Sequence, residues 1–373
     1  MKLYLIAGEA SGDSRAAEVM RSLSALATAR GETVEFHGAG GPEMRALAPR
    51  IEDWSGEAVV GLWDVLKKYP YFRRKLAAML REISELQPDA VILVDYPGFN
   101  LRLARALKQR NPSQRIIHYI SPQVWAWHRE RIPEMARTLD LMLCIFPFEK
   151  ALYEQSGLKT VFVGHPLLDA LAAKKGTVPR EETLVGLFPG SRKKEISRIF
   201  PIMLKAAAEM LKARPDLRFE AAAASESLAQ TMRAMVAGSP VAVRLGGSHE
   251  LMNRAAVGMV ASGTATLEAT VFELPFVLIY SVAPFTWVIG KWLVRVPFLG
   301  ISNILAGREI VREFLQNDAQ PLPIADELLS LLNNPEKREV QRDEFRAVIT
   351  GLGAGGASQR AAEAILTEIP SAR

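Results

Sequence analysis

Residues 1–13 read MKLYLIAGEASGD. Leu3 to Ala7 form a short apolar run. Gly8, Glu9, Ala10, Ser11, Gly12 and Asp13 follow at once, and a helix-like pattern comes after them. Strand, glycine turn, helix is the opening of a doubly wound α/β unit. A turn of this kind ordinarily cradles an anion on its free amides. Here it carries acids of its own, Glu9 and Asp13, so phosphate is not the obvious ligand.

The same grammar restarts near residue 190. LVGLFP is strand-like, PGSRKKE is a glycine turn, and ISRIFPIMLKAAAEML is helix-like. Around the first turn, KLYLIA, TVEFHGA, AVILVDY, RIIHYI, LMLCIF and TVFVGH read as buried strands between amphipathic stretches. Around the second, RFEAAAA, VAVRL, VGMVAS and PFVLIYS do the same. Between the two lies DALAAKKGTVPREET, polar, small and broken by Gly and Pro, which reads as a linker or domain edge. The pattern predicts two doubly wound α/β domains, 1–170 and 180–340, with a cleft between them and ligands at the carboxyl ends of the strands. A helical tail is expected over 341–373. Its GLGAGG matches G-x-G-x-x-G in form, but no strand precedes it, so it reads as a joint between two helices.

Composition supports a folded globular chain: 373 residues, 49% hydrophobic and 23% charged. The net charge of +5 is mild, so the distribution of charge matters more than its sum. The one cysteine, Cys144, cannot form an internal disulfide. It reads as a small buried hydrophobe, and a reducing compartment fits. No leader is expected, because the opening apolar run is short and Glu9 ends it. The longest charge-free stretch, between Glu273 and Lys291, falls short of the ~20 residues that span a bilayer, and Pro275 and Pro284 interrupt it. The expectation is a soluble protein or one resting on a membrane surface.

Three places carry chemistry. In PGSRKKE, Gly190, Ser191 and Arg192 stand where a strand yields to a helix, and the guanidinium can fork onto a phosphate. The blander reading is a solvated basic helix start. In ASGTATLEAT, Ser262, Gly263, Thr264 and Thr266 form a second anion-competent turn, and Glu268 can accept two hydrogen bonds from a ribose diol. Its alternative is an acid complementing a helix dipole. Two such turns in one half suggest a nucleotide diphosphate. In VILVDYPGFN, Asp95 ends a strongly apolar strand and is a candidate general base. The alternative is a cap for a helix beginning near Asn100, a task Asn100 can do itself.

Absences narrow the field. There is no Asp-x-Asp to clamp a metal-bound diphosphate, no G-x-x-x-x-G-K-[ST], no G-x-S-x-G and no H-E-x-x-H. The five histidines are scattered and form no metal set. Neither a metal nor a cofactor is expected. Leu62 to Leu80, LWDVLKKYPYFRRKLAAML, mixes aromatics with cations, as does PFTWVIGKWLVRVPF over 284–298. Aromatic plus cationic favours a membrane interface, more so for the first stretch than for the second, which reads equally well as a core helix with a solvated rim. No nucleic-acid motif accompanies them.

AGEASGD, HYISPQVWAWHRERI, FPFEKALYE, VGHPLLD, PGSRKKEI, ASGTATLEAT and SNILAGRE, in that order, resemble the lipid-A-disaccharide synthases over about residues 3 to 315. The resemblance implies a GT-B type fold, two Rossmann-like domains facing across a cleft. It implies an inverting, metal-independent glycosyltransferase. The substrates it implies are UDP-2,3-diacylglucosamine and 2,3-diacylglucosamine 1-phosphate, and the products a β-1,6-linked disaccharide 1-phosphate and UDP. The implied location is the cytoplasmic face of the inner membrane, with a homodimer left open. Gly190, Ser191, Arg192, Ser262, Gly263, Thr264, Thr266 and Glu268 would then hold UDP, and Asn303 and Arg308 would lie near the donor. Gly8, Glu9, Ser11 and Gly12 would face the acceptor, with Asp95 or Glu9 taking the proton from its 6-hydroxyl. One departure stands out: some members read D-x-P-D-F-N where this chain has DYPGFN, so position 98 is Gly. Two rivals remain at this stage. One is another GT-B UDP-sugar enzyme, a 2-epimerase or a UDP-GlcNAc transferase. The other is a non-catalytic nucleotide-binding protein of the membrane surface.

Overall fold

The structure is a computed structural model that describes residues 1–54, 62–176, 178–283, 287 and 296–369, with only the backbone of 62–69. The chain divides into two units: Met1–Asp169 together with Leu352–Arg373, and Ala170–Gly351.

The first unit is built on a seven-stranded sheet, ordered β3-β2-β1-β4-β5-β6-β7 and parallel throughout. Its strands are β1 (Lys2–Ala7), β2 (Glu35–Gly40), β3 (Ile51–Asp53), β4 (Ala90–Val94), β5 (Ile116–Tyr119), β6 (Leu141–Cys144) and β7 (Thr160–Phe162). β4, β5 and β6 are buried at every residue, which is why they read as unbroken apolar runs. One core gathers Tyr4, Ile6, Val91, Leu93 and Met142 from the sheet with Met79, Leu80, Ile83 and Leu103 from the helices Leu62–Leu86 and Pro97–Arg110.

The second unit carries a six-stranded parallel sheet in the order β10-β9-β8-β11-β12-β13. Its strands are β8 (Glu181–Phe188), β9 (Arg218–Ala223), β10 (Val241–Leu245), β11 (Ala255–Ala261), β12 (Phe276–Tyr280) and β13 (Glu313–Leu315). The two sheets share a design. Strand order reverses between β1 and β4 in the first and between β8 and β11 in the second. Such a reversal opens a crevice at the carboxyl ends of the two diverging strands. The sequence reading named eleven strands and omitted β3 and β13. Both are three-residue edge strands, too short to show a period.

The end of the chain departs from the expected separate tail. Residue 341 falls inside the helix Pro335–Gly351, which belongs to the second unit. The chain then turns through Leu352–Gly356, where Gly353, Gly355 and Gly356 all take positive φ. The helix Ala357–Glu368 packs back on the helix Ala10–Ala29 of the first unit, burying Ala357, Ala361, Ala362, Ile365 and Leu366. Asp169 accepts hydrogen bonds from the amides of Gly356 (2.7 Å) and Ala357 (3.0 Å). Arg115 and Lys159 both pair with Glu368 at the far end.

Candidate active site

The first reversal point brings together the loops after β1 and β4. Gly8 is buried against Tyr96: a Cβ there would lie 2.5 Å from the Tyr96 ring, so only glycine permits this approach. Gly12 is likewise buried, in ordinary contact range of Ala7 and the Val94 carbonyl. Glu9 and Ser11 are exposed, Glu9 at the N-cap of the helix Ala10–Ala29. Asp13, the second acid of the turn, is only 2% exposed. Its carboxylate accepts the amides of Gly41 (2.8 Å), Glu43 (2.9 Å) and Met44 (3.1 Å), so it caps the short helix Pro42–Leu47. One acid of the opening stretch is therefore structural and the other faces solvent.

β4 ends in an unusual turn. Asp95 (φ 48°) and Tyr96 (φ 47°) are consecutive non-glycine residues in the left-handed region. Such residues cost on the order of 1–3 kcal/mol each and gather at functional sites. The turn is held by Asn100, whose Nδ2 donates to the carbonyls of Val94 (3.2 Å) and Asp95 (2.8 Å). The helix begins at Pro97, with Tyr96 as its N-cap, three residues earlier than expected. Asn100 is thus inside the first turn and ties the strand end in place instead of capping. Burial raises the Asp95 carboxyl above its ordinary range, the negative charge of Glu9 raises it further, and the Tyr96 amide draws it partly back. Asp95 thus senses the charge of Glu9, as a candidate base at a functional site can. Gly98 is exposed, and a Cβ there would meet nothing within 4 Å.

Beside this turn the loops after β5 and β6 form a buried polar network. Trp125 Nε1 donates to Glu149 Oε1 (2.9 Å), and the Phe146 amide donates to Glu149 Oε2 (3.1 Å). Ser121 and Tyr153 share a hydrogen bond of 2.6 Å, and Tyr153 also donates to the Pro122 carbonyl. Glu149 is wholly buried, which pushes its carboxyl up to about 7 against the pull of its donors. The sequence reading missed it. A Pro at the first helical position and a Glu at the third mark a helix start, and Pro147 and Glu149 fit that signal; nothing local names Trp125 as the partner.

At the second reversal point β8 runs into Pro189, Gly190 (φ 106°) and Ser191, then the helix Lys193–Ala213 with Arg192 at its N-cap. A carboxylate already sits on this turn: Glu195 accepts the Ser191 amide (3.2 Å) and pairs with Arg192 (2.8 Å). β11 leads into Ser262, Gly263 and Thr264 and the helix Thr264–Val271. Gly263 and Thr264 are exposed and Ser262 is half-buried. Thr266 is buried and donates its hydroxyl to the Gly263 carbonyl (2.7 Å), so its proton is spent on the turn. Glu268 lies 3.7 Å from His249, whose ring packs against Phe272. Tyr280, at the end of β12, feels the charge of Glu195. Neither His249 nor Tyr280 was legible beforehand, since each meets its partner only through the sheet.

Asn303 lies on the helix Ile301–Ala306, which packs on the helix Thr264–Val271 through a Ser302–Thr270 hydrogen bond of 2.7 Å, and Arg308 follows that helix. Asn303 is fully buried, donating to the Val311 carbonyl and Glu313 and accepting from the amides of Ile310 and Val311. All four of its hydrogen-bonding positions are used internally. Arg308 pairs with Glu344 and lines a separate groove with Glu309 and Arg312.

The basic aromatic stretches divide. In the helix Leu62–Leu86, Phe72 and Leu76 pack on the core, Lys75 pairs with Glu52, and Arg73 and Arg74 are exposed. The stretch 284–298 lies mostly outside the described residues, among them Lys291, Trp292 and Arg295. Cys144 is buried, and burial raises its thiol. Among the described residues no cluster of three His, Cys, Asp or Glu is placed to hold a metal, and no helix is long and apolar enough to cross a membrane.

Comparison with known proteins agrees with this layout. Residues 3–368 match the family model described as Lipid-A-disaccharide synthetase. The lipid-A-disaccharide synthase of Trichlorobacter lovleyi is 37% identical over 379 residues, covering 99% of this chain and 97% of its own length. That of Geobacter sulfurreducens is also 37% identical, with 98% and 96% covered. A putative UDP-N-acetylglucosamine 2-epimerase from Listeria monocytogenes superimposes with a TM-score of 0.64 at 15% identity, covering 100% of this chain and 97% of that one. The kitacinnamycin glycotransferase gives a TM-score of 0.58 at 17% identity, with 99% of each chain covered. At such identity the two solved structures establish a shared fold.

Proposed function

The chain belongs to the lipid-A-disaccharide synthetase family and is a glycosyltransferase of lipid A biosynthesis. From that premise we propose that it moves 2,3-diacylglucosamine from UDP-2,3-diacylglucosamine to the 6-hydroxyl of 2,3-diacylglucosamine 1-phosphate, at the cytoplasmic face of the inner membrane. We assign acceptor binding to the first reversal point and donor binding to the second.

Asp95 is the base. Its raised carboxyl is a stronger proton acceptor than an exposed aspartate, and the turn fixed by Asn100 holds it at the strand end. As it takes the hydroxyl proton, the acceptor oxygen bonds to the anomeric carbon and the bond to the diphosphate breaks. One direct displacement inverts the anomeric centre. Glu9 accepts hydrogen bonds from acceptor hydroxyls, and the backbone of Gly8, Ser11 and Gly12 shapes the pocket. The departing UDP gains its negative charge on the amides of Gly190, Ser191, Gly263 and Thr264, with Arg192 released from Glu195 to meet the diphosphate. That Glu195 already draws the Ser191 amide supports an anion site there. Glu268 takes the ribose diol. No step calls for a metal. Arg73 and Arg74 suit contact with anionic lipid.

The observation that carries this reading is the Asp95 carboxyl, raised by burial and by the charge of Glu9, held in a strained turn at the strand-order reversal of the first unit. Incubation of the protein with both lipid substrates in detergent and EDTA, followed by mass analysis, is expected to show the disaccharide 1-phosphate. No product, with EDTA or with added Mg²⁺, would overturn the substrate assignment.

A further inference from the structure

We propose that the segment after β5, with Trp127, Arg129 and Arg131 at its surface, binds the anomeric phosphate of the acceptor, Trp127 covering the face of the attached sugar. This rests on the acceptor reading above and names the group that orients that substrate.

Position comes first. The Asp95 amide donates to the Tyr119 carbonyl at 2.9 Å, so the chain leaving β5 emerges beside the proposed base. The attacking hydroxyl and the anomeric phosphate stand at opposite ends of one pyranose. A phosphate subsite is therefore due within about one or two strand spacings of ~4.8 Å from Asp95. On the other side, the loop after β1 offers helix amides, but the exposed Glu9 carboxylate stands there and would repel a phosphate.

Charge comes second. Arg129 and Arg131 are exposed, and among the described residues neither has an ion-pair partner. The acid between them, Glu130, hydrogen-bonds His128 at 2.7 Å and feels the Arg131 charge without pairing with it. Arg129 spends only its Nε, donating to the Trp125 carbonyl at 2.9 Å. Two guanidinium groups are thus left to meet an anion, and guanidinium is the side chain that matches phosphate geometry.

Rigidity comes third. Trp125 and Trp127 occupy one helical turn, Val124–Trp127. Trp125 is buried and locked to Glu149, while Trp127 is 51% exposed with its ring stacked on His128. An exposed indole held from below by a buried network gives a flat apolar surface at little entropic cost on binding.

The test is a cycle of two proteins and two acceptors. Steady-state KM, or competitive Ki where turnover is too slow, is measured with 2,3-diacylglucosamine 1-phosphate and with the same molecule lacking the phosphate. Arg131→Ser should raise the constant for the phosphorylated acceptor about tenfold and leave that for the unphosphorylated one, and for the UDP donor, unchanged. Arg131→Lys should restore most of the loss. Trp127→Ala should weaken both acceptors alike and spare the donor. An equal effect of Arg131→Ser on both acceptors, or none on either, would overturn the assignment. So would loss of binding to phosphatidylglycerol vesicles with no change in acceptor discrimination, which would make the segment a membrane contact. If the wild-type protein joins neither acceptor to the donor, the acceptor reading itself fails and this proposal with it.

Discussion

Asp13 and Asp95 stand at the same end of the same sheet and differ in what surrounds their oxygens. Asp13 has three backbone amides and no role beyond the fold. Asp13→Ala leaves those donors buried without an acceptor and should cost about 2–4 kcal/mol, read as a shift in urea midpoint. A shift under about 0.5 kcal/mol would show the cap to be replaceable. Asp95 has a neighbouring carboxylate instead. If Asp95 is the base, activity falls as pH drops through its raised pKa, because the protonated acid cannot accept the hydroxyl proton. Glu9→Gln removes one of the two raising influences, so the acid limb of kcat/KM should move to lower pH. A limb that stays in place would separate Glu9 from the titrating base.

At the scale of elements, the junctions between strand and helix carry the information. Gly98 lies in the first turn of the helix Pro97–Arg110 with open space around its Cβ position. Gly98→Asp should be accommodated and add roughly 0.3–1 kcal/mol through the helix dipole, measured by thermal melting. A clear loss of stability would mean the turn tolerates no third acid. Glu149 makes the opposite case, an acid where ionisation is costly. Its folded-state pKa of about 7 lies above the ordinary value of 4.5, so the native state binds the proton more tightly than the unfolded one. Stability from this group is therefore greatest at low pH and declines as pH rises through that window, by on the order of 3 kcal/mol. The decline should vanish in Glu149→Gln, whatever that variant's absolute stability. An unchanged pH slope would place the titration elsewhere. The glycine turns near residues 8 and 190 were legible because backbone demands are written locally. Thr266 and Asn303 were not, since whether a polar group is spent internally depends on donors brought in by folding.

At the scale of the molecule, repetition of one grammar gave two sheets, and each strand-order reversal fell at a motif pair picked out from sequence. The pairing of Asp95 with Glu9, 86 positions apart, follows from that topology, because β1 and β4 are neighbours. The return of the last helix to the first unit was hidden, since its small-residue face reads equally well as free or docked. Asp169 tests that docking. Asp169→Ala removes two hydrogen bonds from backbone amides at the helix start and should cost about 1–2 kcal/mol, with faster proteolysis at Leu352–Gly356. Unaltered proteolysis would make the docking independent of Asp169. This arrangement also fixes an order of events on the ribosome. Residues 170–351 emerge before the helix that completes the earlier half. At ~5–20 residues per second, that half waits on the order of 20–70 s from the start of synthesis for its final piece. The first portion made is the last to be finished, and a message cut short near its end would yield an intact second unit joined to a first unit whose helix Ala10–Ala29 lacks its covering partner.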